Sequence, residues 1–497
     1  MRGFFKLVLA NLTAIFILCA GFFIFFIGFL IISSISEGVD VKQDSVLTLD
    51  LKTKIIDSPS EYQEDIFAFN KEKETAVLLY DVLQAIGNAK TDNKIKGISL
   101  EIDNFQAGMT QMDNIRNALI DFKKSGKFVY AYGNTVSQGA YYLGSVADKY
   151  YLNPAGLIEL KGLSTEVTFF KNFAEKYGIG IQVIRHGKFK AAVEPFLRDD
   201  ISPENKEQLS TLLNDIWANT SKKIADSRKI SLPELNMITD SLYSYLPNLS
   251  LKYKLADQLI QKSEYDNIIR KKLNIDADKK INKISFAKYS ESLESENDGK
   301  KIAVLYASGA IYNGKGYDGI YADNFVKEIK KIQKDDDIKA VVFRINSPGG
   351  SANASDEILF EMQQLKRKKP VIVSFGDYAA SGGYYIAMGA DKIFSEPNTL
   401  TGSIGVFGVI PYFKELAQKN GIRSDAVTTN ANSNMISAIN GLSPGTLTIM
   451  TRSVEATYQT FIHFVTQNRK KSFEEIDSVG GGRVWSGVRA KEIGLVD

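Results

Sequence analysis

Two stretches of the sequence repeat each other at a constant spacing. The segment DYAASGGYYIAMGAD (residues 377–391) resembles NTVSQGAYYLGSVAD (residues 134–148), and the apolar runs DDIKAVVFRIN and NKIKGISLEID match ahead of them. Matching residues stay 243 positions apart from about residue 93 to residue 179. Five such pairs are Ile95 and Ile338, Gly139 and Gly382, Asp148 and Asp391, Pro154 and Pro397, and Gly178 and Gly421. Because a chance repeat of one turn would not keep this register, the sequence predicts an internal duplication.

Within each copy, strand-like runs alternate with helical patterns. GKFVYAY and KPVIVSF are typical of strands, whereas MDNIRNALIDFKKSG and ASDEILFEMQQLKRKK are typical of helices. This alternation predicts parallel βαβ units and therefore an α/β fold. A chain of 497 residues is too long for one ordinary core. The predicted parts are an N-terminal stub and anchor (1–44), a first repeat (45–262), a polar linker (263–300) and a second repeat (301–497).

The C-terminal part of each copy carries the same helix-start signal. Ser202 is a good N-cap and Pro203 fits the first turn of a helix. Ser443 and Pro444 repeat this pair. We therefore expect the duplication to continue to the C-terminal region, with small differences in length.

Composition excludes several classes of function. The formal net charge is only +3 and no basic stripe with interleaved aromatics is present, so a nucleic-acid partner is not predicted. The single cysteine, Cys19, cannot form an intrachain disulfide. The two histidines, His186 and His463, have no metal-ligand spacing, and their scarcity argues against a Ser-His-Asp triad. We expect neither a metal nor an organic cofactor.

The N-terminus carries a long uncharged run. Residues 7–36 contain no charge, which exceeds the roughly 20 residues that a membrane-spanning helix needs. The run is too long for a signal-peptide core and ends without a small-x-small cleavage site, which favours an uncleaved anchor. Arg2 and Lys6 precede the run, and Glu37 and Asp40 follow it. This asymmetry predicts a cytoplasmic N-terminus, with the rest of the chain on the extracytoplasmic side of the inner (plasma) membrane.

Two chemically useful features occur only in the second copy. The glycine pair of NSPGGS, Gly349 and Gly350, corresponds to glutamine and alanine in the first copy, and Ser381 corresponds to Gln138. A Gly-Gly pair can turn backbone N–H groups toward a developing oxyanion, although alone it is usually a simple turn. Ser381 stands at a predicted strand-to-helix junction, where a serine is most often an N-cap. Their joint absence from the first copy indicates a functional site that was retained in the second copy and lost from the first.

A serine nucleophile requires a base, and with so few histidines a lysine is the realistic candidate. A lysine base must be neutral when it acts. Its pKa must therefore fall from about 10.4 to roughly 7–8, a cost of about 4 kcal/mol that burial can impose. Composition alone does not choose among the lysines.

Four segments together resemble a known family. GKFKAAVEPFLRDDISPENKEQ in the first copy, with NSPGGS, GDYAASGGYYIA and NTLTGSIGVFGV in the second, is similar to the long form of the signal peptide peptidase A family. The resemblance covers nearly the whole chain. It implies a ClpP/crotonase-like fold and peptide cleavage by a Ser-Lys dyad that is divided between the two repeats.

Carried over by motif, the resemblance assigns the roles of the site residues. It implies that Ser381 is the nucleophile, Lys190 the general base and Ser403 the residue that orients the lysine. The backbone N–H of Gly382 and of one glycine of the 349/350 pair, with Gly350 the better match, would form the oxyanion hole. In the 243-residue register Lys190 corresponds to Ser433, so neither copy holds both dyad members. The site must then form where the repeats meet.

Two nearby residues are rivals for the base. Lys188 would share a strand face with the family lysine if this segment were extended, and so would His186. No carboxylate partner for His186 is evident in the sequence. Lys188 is therefore the nearer rival.

The resemblance also implies a function and an assembly. It predicts a membrane-anchored serine endopeptidase that degrades cleaved signal peptides and other small unfolded peptides, as a bowl-shaped homotetramer facing the membrane. One alternative is a crotonase-type enzyme acting on acyl groups, but an outward-facing domain would have no supply of acyl-CoA. A second alternative is a catalytically inactive membrane scaffold that binds peptides, because the first copy already lacks the site residues.

Overall fold

The computed structural model describes residues 2–34, 39–49, 53–59, 75–293 and 299–497. We call residues 45–293 the first half and residues 299–497 the second half. An N-terminal helix, α1 (Arg2–Ser34), precedes the first half. The strands of the first half are β1 (Ser45–Leu49), β2 (Thr53–Ile56), β3 (Thr75–Leu78), β4 (Ile95–Glu101), β5 (Phe128–Val136), β6 (Lys149–Ile158), β7 (Gly180–Arg185), β8 (Gln258–Leu259) and β9 (Lys283–Ser285). Its α-helices are α2 (Leu79–Ala89), α3 (Met109–Lys123), α4 (Gln138–Gly144), α5 (Lys171–Tyr177), α6 (Pro203–Arg228), α7 (Leu232–Asp240), α8 (Pro247–Lys252), α9 (Lys262–Leu273) and α10 (Phe286–Glu291).

The second half has the same kind of alternation. Its strands are β10 (Lys301–Ser308), β11 (Ile311–Tyr312), β12 (Ile320–Tyr321), β13 (Ile338–Ser347), β14 (Val371–Ala380), β15 (Lys392–Phe394), β16 (Leu400–Gly402), β17 (Phe407–Tyr412), β18 (Ile436–Ser437), β19 (Gly441–Leu442) and β20 (Val484–Ser486). Its α-helices are α11 (Ala322–Lys334), α12 (Ala352–Lys366), α13 (Gly382–Ile386), α14 (Lys414–Lys419), α15 (Pro444–Arg469), α16 (Phe473–Val479) and α17 (Gly487–Glu492).

Each half is built on a six-stranded sheet. The first sheet has the order β8-β6-β5-β4-β1-β9, and every neighbouring pair is parallel. The second sheet has the order β10-β13-β14-β16-β20 with β15 beside β14, and only β16 and β20 are antiparallel. Helices cover these sheets, so strands such as β4 are buried on both faces and read as continuous apolar runs. The α/β class predicted from the alternation is confirmed.

Several local predictions agree with the structure. The central strands β4 and β13 begin 243 residues apart, at Ile95 and Ile338, and α3 and α12 keep the same spacing. Both predicted N-caps form, because the hydroxyl of Ser202 accepts the N–H of Asn205 and that of Ser443 accepts the N–H of Thr446. Two 26-residue helices, α6 and α15, follow these caps.

The stretch predicted as a linker is largely structured. Within it, β9 pairs in parallel with β1 and forms an edge of the first sheet. Phe286 and Tyr289 of α10 are buried in the core of the first half, and Tyr289 donates a hydrogen bond to Asp92. Because residues 276–300 are mostly polar, these few apolar residues were not recognised in the sequence as part of a core. The first half therefore extends past residue 262.

The halves are joined by a strand pair and by a buried ion pair. Strand β7 of the first half pairs antiparallel with β17 of the second, with Gly180 opposite Tyr412 and Arg185 opposite Phe407. Elsewhere Arg344 of β13 contacts Asp57 of the first half at 3.1 Å. The strand pair matters for the candidate site because β7 ends shortly before Lys190 and β17 begins shortly after Ser403.

The predicted membrane anchor overlaps α1, and its residues 35 and 36 lie outside the described residues. Within the described parts of the chain, we find no helix with the length and apolar character of a membrane span. The anchor is therefore not confirmed.

Candidate active site

Ser381 occupies a strained junction between β14 and α13. Its backbone has φ 54° and ψ −122°, a conformation that residues other than glycine rarely adopt. Its N–H donates to the carbonyl of Gly402 at 2.9 Å, which ties the junction to β16. Its side chain makes no capping hydrogen bond to α13. The serine is therefore not a simple N-cap, and its hydroxyl is free for other contacts.

Lys190 reaches this junction through the β7–β17 pair. The pairing continues past β7, because the N–H of His186 donates to the carbonyl of Val406 at 2.9 Å. Lys190 then immediately precedes the 3₁₀ helix Ala191–Phe196. A β-carbon on Gly482, where φ is +83°, would lie 2.6 Å from the β-carbon of Lys190. Only glycine at position 482 lets the lysine backbone come this close.

The amine of Lys190 is buried among three oxygens. Its Nζ lies 3.1 Å from Ser381 Oγ, 2.9 Å from Ser403 Oγ and 3.1 Å from the Ser403 carbonyl. The residue is 5% exposed, and burial lowers the pKa of Lys190 to about 8. Residues 191 positions apart in sequence thus share one site.

The oxygen positions suit a neutral amine. A neutral amine has two N–H donors and one lone pair, so the carbonyl and the hydroxyl oxygen of Ser403 can accept both donors. The lone pair is then left for the hydroxyl proton of Ser381. Ser403 can direct its own proton to the carbonyl of Gly482, 3.4 Å away. In this arrangement the amine can remove a proton from the serine.

The two candidate glycines, Gly349 and Gly350, differ in the hydrogen bonding of their N–H groups. The N–H of Gly349 already donates to Ser347 Oγ at 3.1 Å. The N–H of Gly350 has no acceptor among the described residues, and that of Gly382, in the first turn of α13, has no intrahelical partner. A β-carbon on Gly382 would lie 3.2 Å from the nitrogen of Gly350, so the two groups are close. The N–H groups of Gly350 and Gly382 are therefore close together and unpaired within the described structure.

Two cavities meet at the serine. One has a volume of about 750 Å³ and the other about 660 Å³, and both are lined by Gly350, Ser381 and Phe407. The larger cavity also has an apolar wall formed by Val167, Phe189, Ala191, Pro195, Leu209 and Val484. The smaller cavity lies between α12, α13 and α15. A peptide chain could therefore extend to either side of Ser381.

The rival residues Lys188 and His186 lie outside this cluster. Strand β7 ends at Arg185, so the strand-face argument does not apply to the turn that follows. Lys188 is exposed and its amine lies over the ring of Phe189. His186 does have a carboxylate partner, Glu455 of α15, at 2.6 Å, which the sequence did not reveal.

The counterparts of Ser381 and Lys190 in the opposite half of the chain, Gln138 and Ser433, make other contacts. The side-chain amide of Gln138 donates to the carbonyl of Gly162 at 3.0 Å and accepts the N–H groups of Lys161 and Gly162. Ser433, which corresponds to Lys190, is exposed and accepts the N–H of Asn430. The glutamine thus uses its polar atoms to hold a loop.

Sequence reasoning missed the turn formed by Gly480, Gly481 and Gly482. This turn contacts the lysine segment, because the N–H of Phe189 donates to the carbonyl of Gly481 at 3.1 Å. The run of three glycines was a visible signal. Its partner, however, lies about 290 residues earlier and could not be read from the pattern.

Comparison with known proteins gives the family. The model of peptidase family S49 matches residues 121–276 and 363–497, and the model of Clp protease matches residues 294–401. The chain is 37% identical to Protease 4 of Salmonella typhi (96% of this chain, 80% of that protein) and 34% identical to Protease 4 of Haemophilus influenzae (95% and 81%). It is 32% identical to the chloroplastic serine protease SPPA of Arabidopsis thaliana (92% and 67%). The chain is therefore a serine protease with an α/β ClpP-like fold and belongs to peptidase family S49.

Proposed function

We propose that this protease cleaves peptide bonds with a dyad of Ser381 and Lys190. The observation that carries the proposal is the 3.1 Å contact between Lys190 Nζ and Ser381 Oγ, made by a lysine that is 5% exposed. Burial lowers the pKa of this amine to about 8, so a useful fraction is neutral near physiological pH. A scaffold that only binds peptides would have no need for such an amine.

The reaction proceeds in two stages, acylation and deacylation. Ser381 Oγ attacks the substrate carbonyl while its proton passes to Lys190 Nζ, and the resulting ammonium donates a proton to the leaving amine. Water then attacks the acyl-enzyme with neutral Lys190 as the base. The N–H groups of Gly350 and Gly382 stabilise the oxyanion in both acylation and deacylation. Such a donor typically contributes a factor of about 10²–10³ in rate. Ser403 orients the amine.

The proposed substrates are cleaved signal peptides and other small unfolded peptides. The larger cavity beside Ser381 has an apolar wall, and signal peptides have apolar cores that can bind there in extended form. A folded protein would not present an extended segment to Ser381, which is only partly exposed and lies where two cavities meet. This substrate class is part of the proposal.

We further propose that residues 7–36 anchor the chain in the inner membrane with a cytoplasmic N-terminus. The support is the uncharged run itself, with cations before it and anions after it. The proposal also includes a homotetramer and an origin of the two halves by duplication. The constant 243-residue spacing supports the duplication.

The test uses the full chain in detergent and a short chromogenic peptide. Ser381→Ala and Lys190→Met should each lower kcat by at least about 10³-fold, because each removes half of the dyad. Lys188→Met is the matched control, since it removes an exposed lysine two residues away. Turnover at the wild-type rate in either dyad variant would contradict the assignment.

A serine-reactive covalent probe separates the alternatives. An active dyad should be labelled in the wild-type chain and unlabelled in Ser381→Ala. A peptide-binding scaffold would bind the peptide without labelling. Hydrolysis of an acyl-CoA in preference to the peptide would favour the crotonase-type alternative.

A further inference from the structure

The glycine turn at 480–482 contacts both the segment that carries Lys190 and Ser403, whose oxygens lie beside the lysine amine. The carbonyl of Gly481 accepts the N–H of Phe189, the residue before Lys190, and the carbonyl of Gly482 accepts the hydroxyl of Ser403. Just after the turn, the carbonyl of Arg483 accepts the N–H of Ser403 at 2.7 Å. Because Gly481 and Gly482 both have positive φ and glycine restrains its backbone little, the turn must be held by its neighbours.

One side chain of α15 holds this turn. The hydroxyl of Tyr458 donates to Asp477 at 2.5 Å and accepts the N–H of Gly481 at 3.1 Å. Tyr458 is fully buried. Its ring stacks on His186 with 3.6 Å between the ring centroids, so the same residue also contacts the start of the segment that carries Lys190.

We propose that Tyr458 is a positioning residue for the catalytic amine. This inference rests on the proposed Ser381–Lys190 dyad. The ring of Tyr458 supports the lysine segment at His186, and its hydroxyl fixes the N–H of Gly481. The turn is thereby held against Lys190 and Ser403 at once. Asp477 acts one step further out, since it fixes the direction of the tyrosine hydroxyl.

Removing the hydroxyl of Tyr458 should change the pKa and the alignment of the Lys190 amine more than the stability of the fold. Without an acceptor for the N–H of Gly481, the turn can move away from Lys190. Water then reaches the amine, and the pKa of Lys190 rises toward that of an exposed lysine. At neutral pH less of the base is neutral, and the base is also less well aligned with Ser381.

The direct test is Tyr458→Phe in the full chain, with a chromogenic peptide as substrate. The phenylalanine ring keeps the stacking on His186 and removes only the hydroxyl. We expect kcat to fall about 10- to 100-fold with KM changed by no more than about twofold. We also expect the ascending limb of kcat/KM against pH to move to higher pH, a shift that a merely structural role would not produce.

Two further variants serve as controls. Asp477→Asn keeps an oxygen acceptor for the tyrosine hydroxyl, so it should retain most of the activity, whereas Asp477→Ala should resemble Tyr458→Phe. Tyr141→Phe removes another fully buried hydroxyl, which donates to the carbonyl of Leu255 at 2.9 Å in the first half. Tyr141→Phe should leave the pH profile in place. If Tyr458→Phe fails to fold, the two Asp477 variants carry the test.

The positioning role and the dyad fail in different experiments. Wild-type turnover in Ser381→Ala or Lys190→Met would contradict the dyad and with it the inference. If those variants are inactive but Tyr458→Phe keeps both the wild-type kcat and the wild-type pH limb, only the positioning role is overturned. A loss of activity in Tyr458→Phe that tracks thermal unfolding, with no shift of the limb, also overturns it.

Discussion

At the scale of single residues, the proposed dyad depends on the charge of Lys190. Three oxygens surround its amine, and both an ammonium and an amine can bond to them. Burial favours the neutral form and lowers the pKa of Lys190 to about 8. At pH 7 about one molecule in ten then carries the neutral base, and at pH 8 about half do.

The first prediction is therefore a pH dependence. The base must be neutral to accept a proton, so kcat/KM should rise about tenfold per pH unit below about pH 8 and level off above it. The measurement is peptide hydrolysis by the full chain between about pH 5.5 and 10. Lys188→Met should keep the same limb. A profile that is flat or falling between about pH 6 and 8 would exclude Lys190 as the base.

Much of the candidate site could be predicted from sequence because its members belong to recognisable motifs. Ser381, Lys190 and Ser403 lie together in the structure, as the family resemblance implied. The sequence did not reveal that Gly349 and Gly350 differ in hydrogen bonding, because the difference is one hydrogen bond from the N–H of Gly349 to Ser347. Tyr458 was missed for a related reason, since its partner at Gly481 is a backbone N–H that leaves no mark in a sequence.

At the scale of elements, the β7–β17 pair and the glycine turn bring the lysine to the serine. Strand-like segments were visible in both halves, but pairing across the halves is a tertiary event that hydrophobic periodicity does not encode. The same limit explains β9, a three-residue strand in a polar stretch that pairs with β1. Short edge strands carry too few apolar residues to stand out from a linker.

The second prediction concerns Gly482. Gly482→Ala places a β-carbon 2.6 Å from the β-carbon of Lys190 at a φ of +83°, so the lysine segment must move. We expect kcat to fall by at least about 100-fold, because a displacement of about 1 Å at a catalytic group can have that effect. The measurement is kcat for the chromogenic peptide.

Gly421→Ala is the matched control for that variant. Gly421 has a similar φ of +74° but no atom within 4 Å of the added β-carbon. It therefore introduces the same backbone strain without the contact to Lys190. Equal losses of activity in the two variants would show that strain alone, and not displacement of the lysine, explains the effect.

At the scale of the whole molecule, a buried ion pair helps to hold the halves together. Arg344 of the second half contacts Asp57 of the first at 3.1 Å, and their side chains are 12% and 3% exposed. Arg344 also donates to the carbonyl of Phe375 and to Ser374 Oγ. The second carboxylate oxygen of Asp57 has no partner in the described structure. The pair is thus an inter-half contact whose loss would leave a charge buried.

The third prediction is that Arg344→Met destabilises the protein by about 3–5 kcal/mol, because it leaves the Asp57 carboxylate buried without a cation. Urea unfolding followed by tryptophan fluorescence measures the effect. The double variant Asp57→Asn with Arg344→Met should recover part of the loss. Lys222→Met, which breaks an exposed 2.8 Å pair with Asp226, should change stability by no more than about 1 kcal/mol. Equal effects of the two single substitutions would contradict the structural role of the Arg344–Asp57 pair.

The last prediction concerns which chain supplies the dyad. The first half provides Lys190 and the second half Ser381, and their 3.1 Å contact is made within one chain. Lys190→Met and Ser381→Ala should therefore not complement each other. When both variants are co-expressed with different tags and the mixed assembly is purified, its turnover should not exceed the sum of the two variants measured alone.

The opposite arrangement, in which neighbouring chains exchange their halves, gives a different result. A mixed pair would then hold both intact residues in one of its two sites and recover about half of the wild-type turnover, whereas random order in a four-chain ring would recover about a quarter. The six-residue pairing of β7 with β17 sets the lysine beside the serine of its own chain, so an exchange would have to open this strand pair and re-form it between chains. Restored turnover in the mixed assembly would therefore place β7 on a neighbouring subunit, whereas its absence keeps each complete site within a single chain.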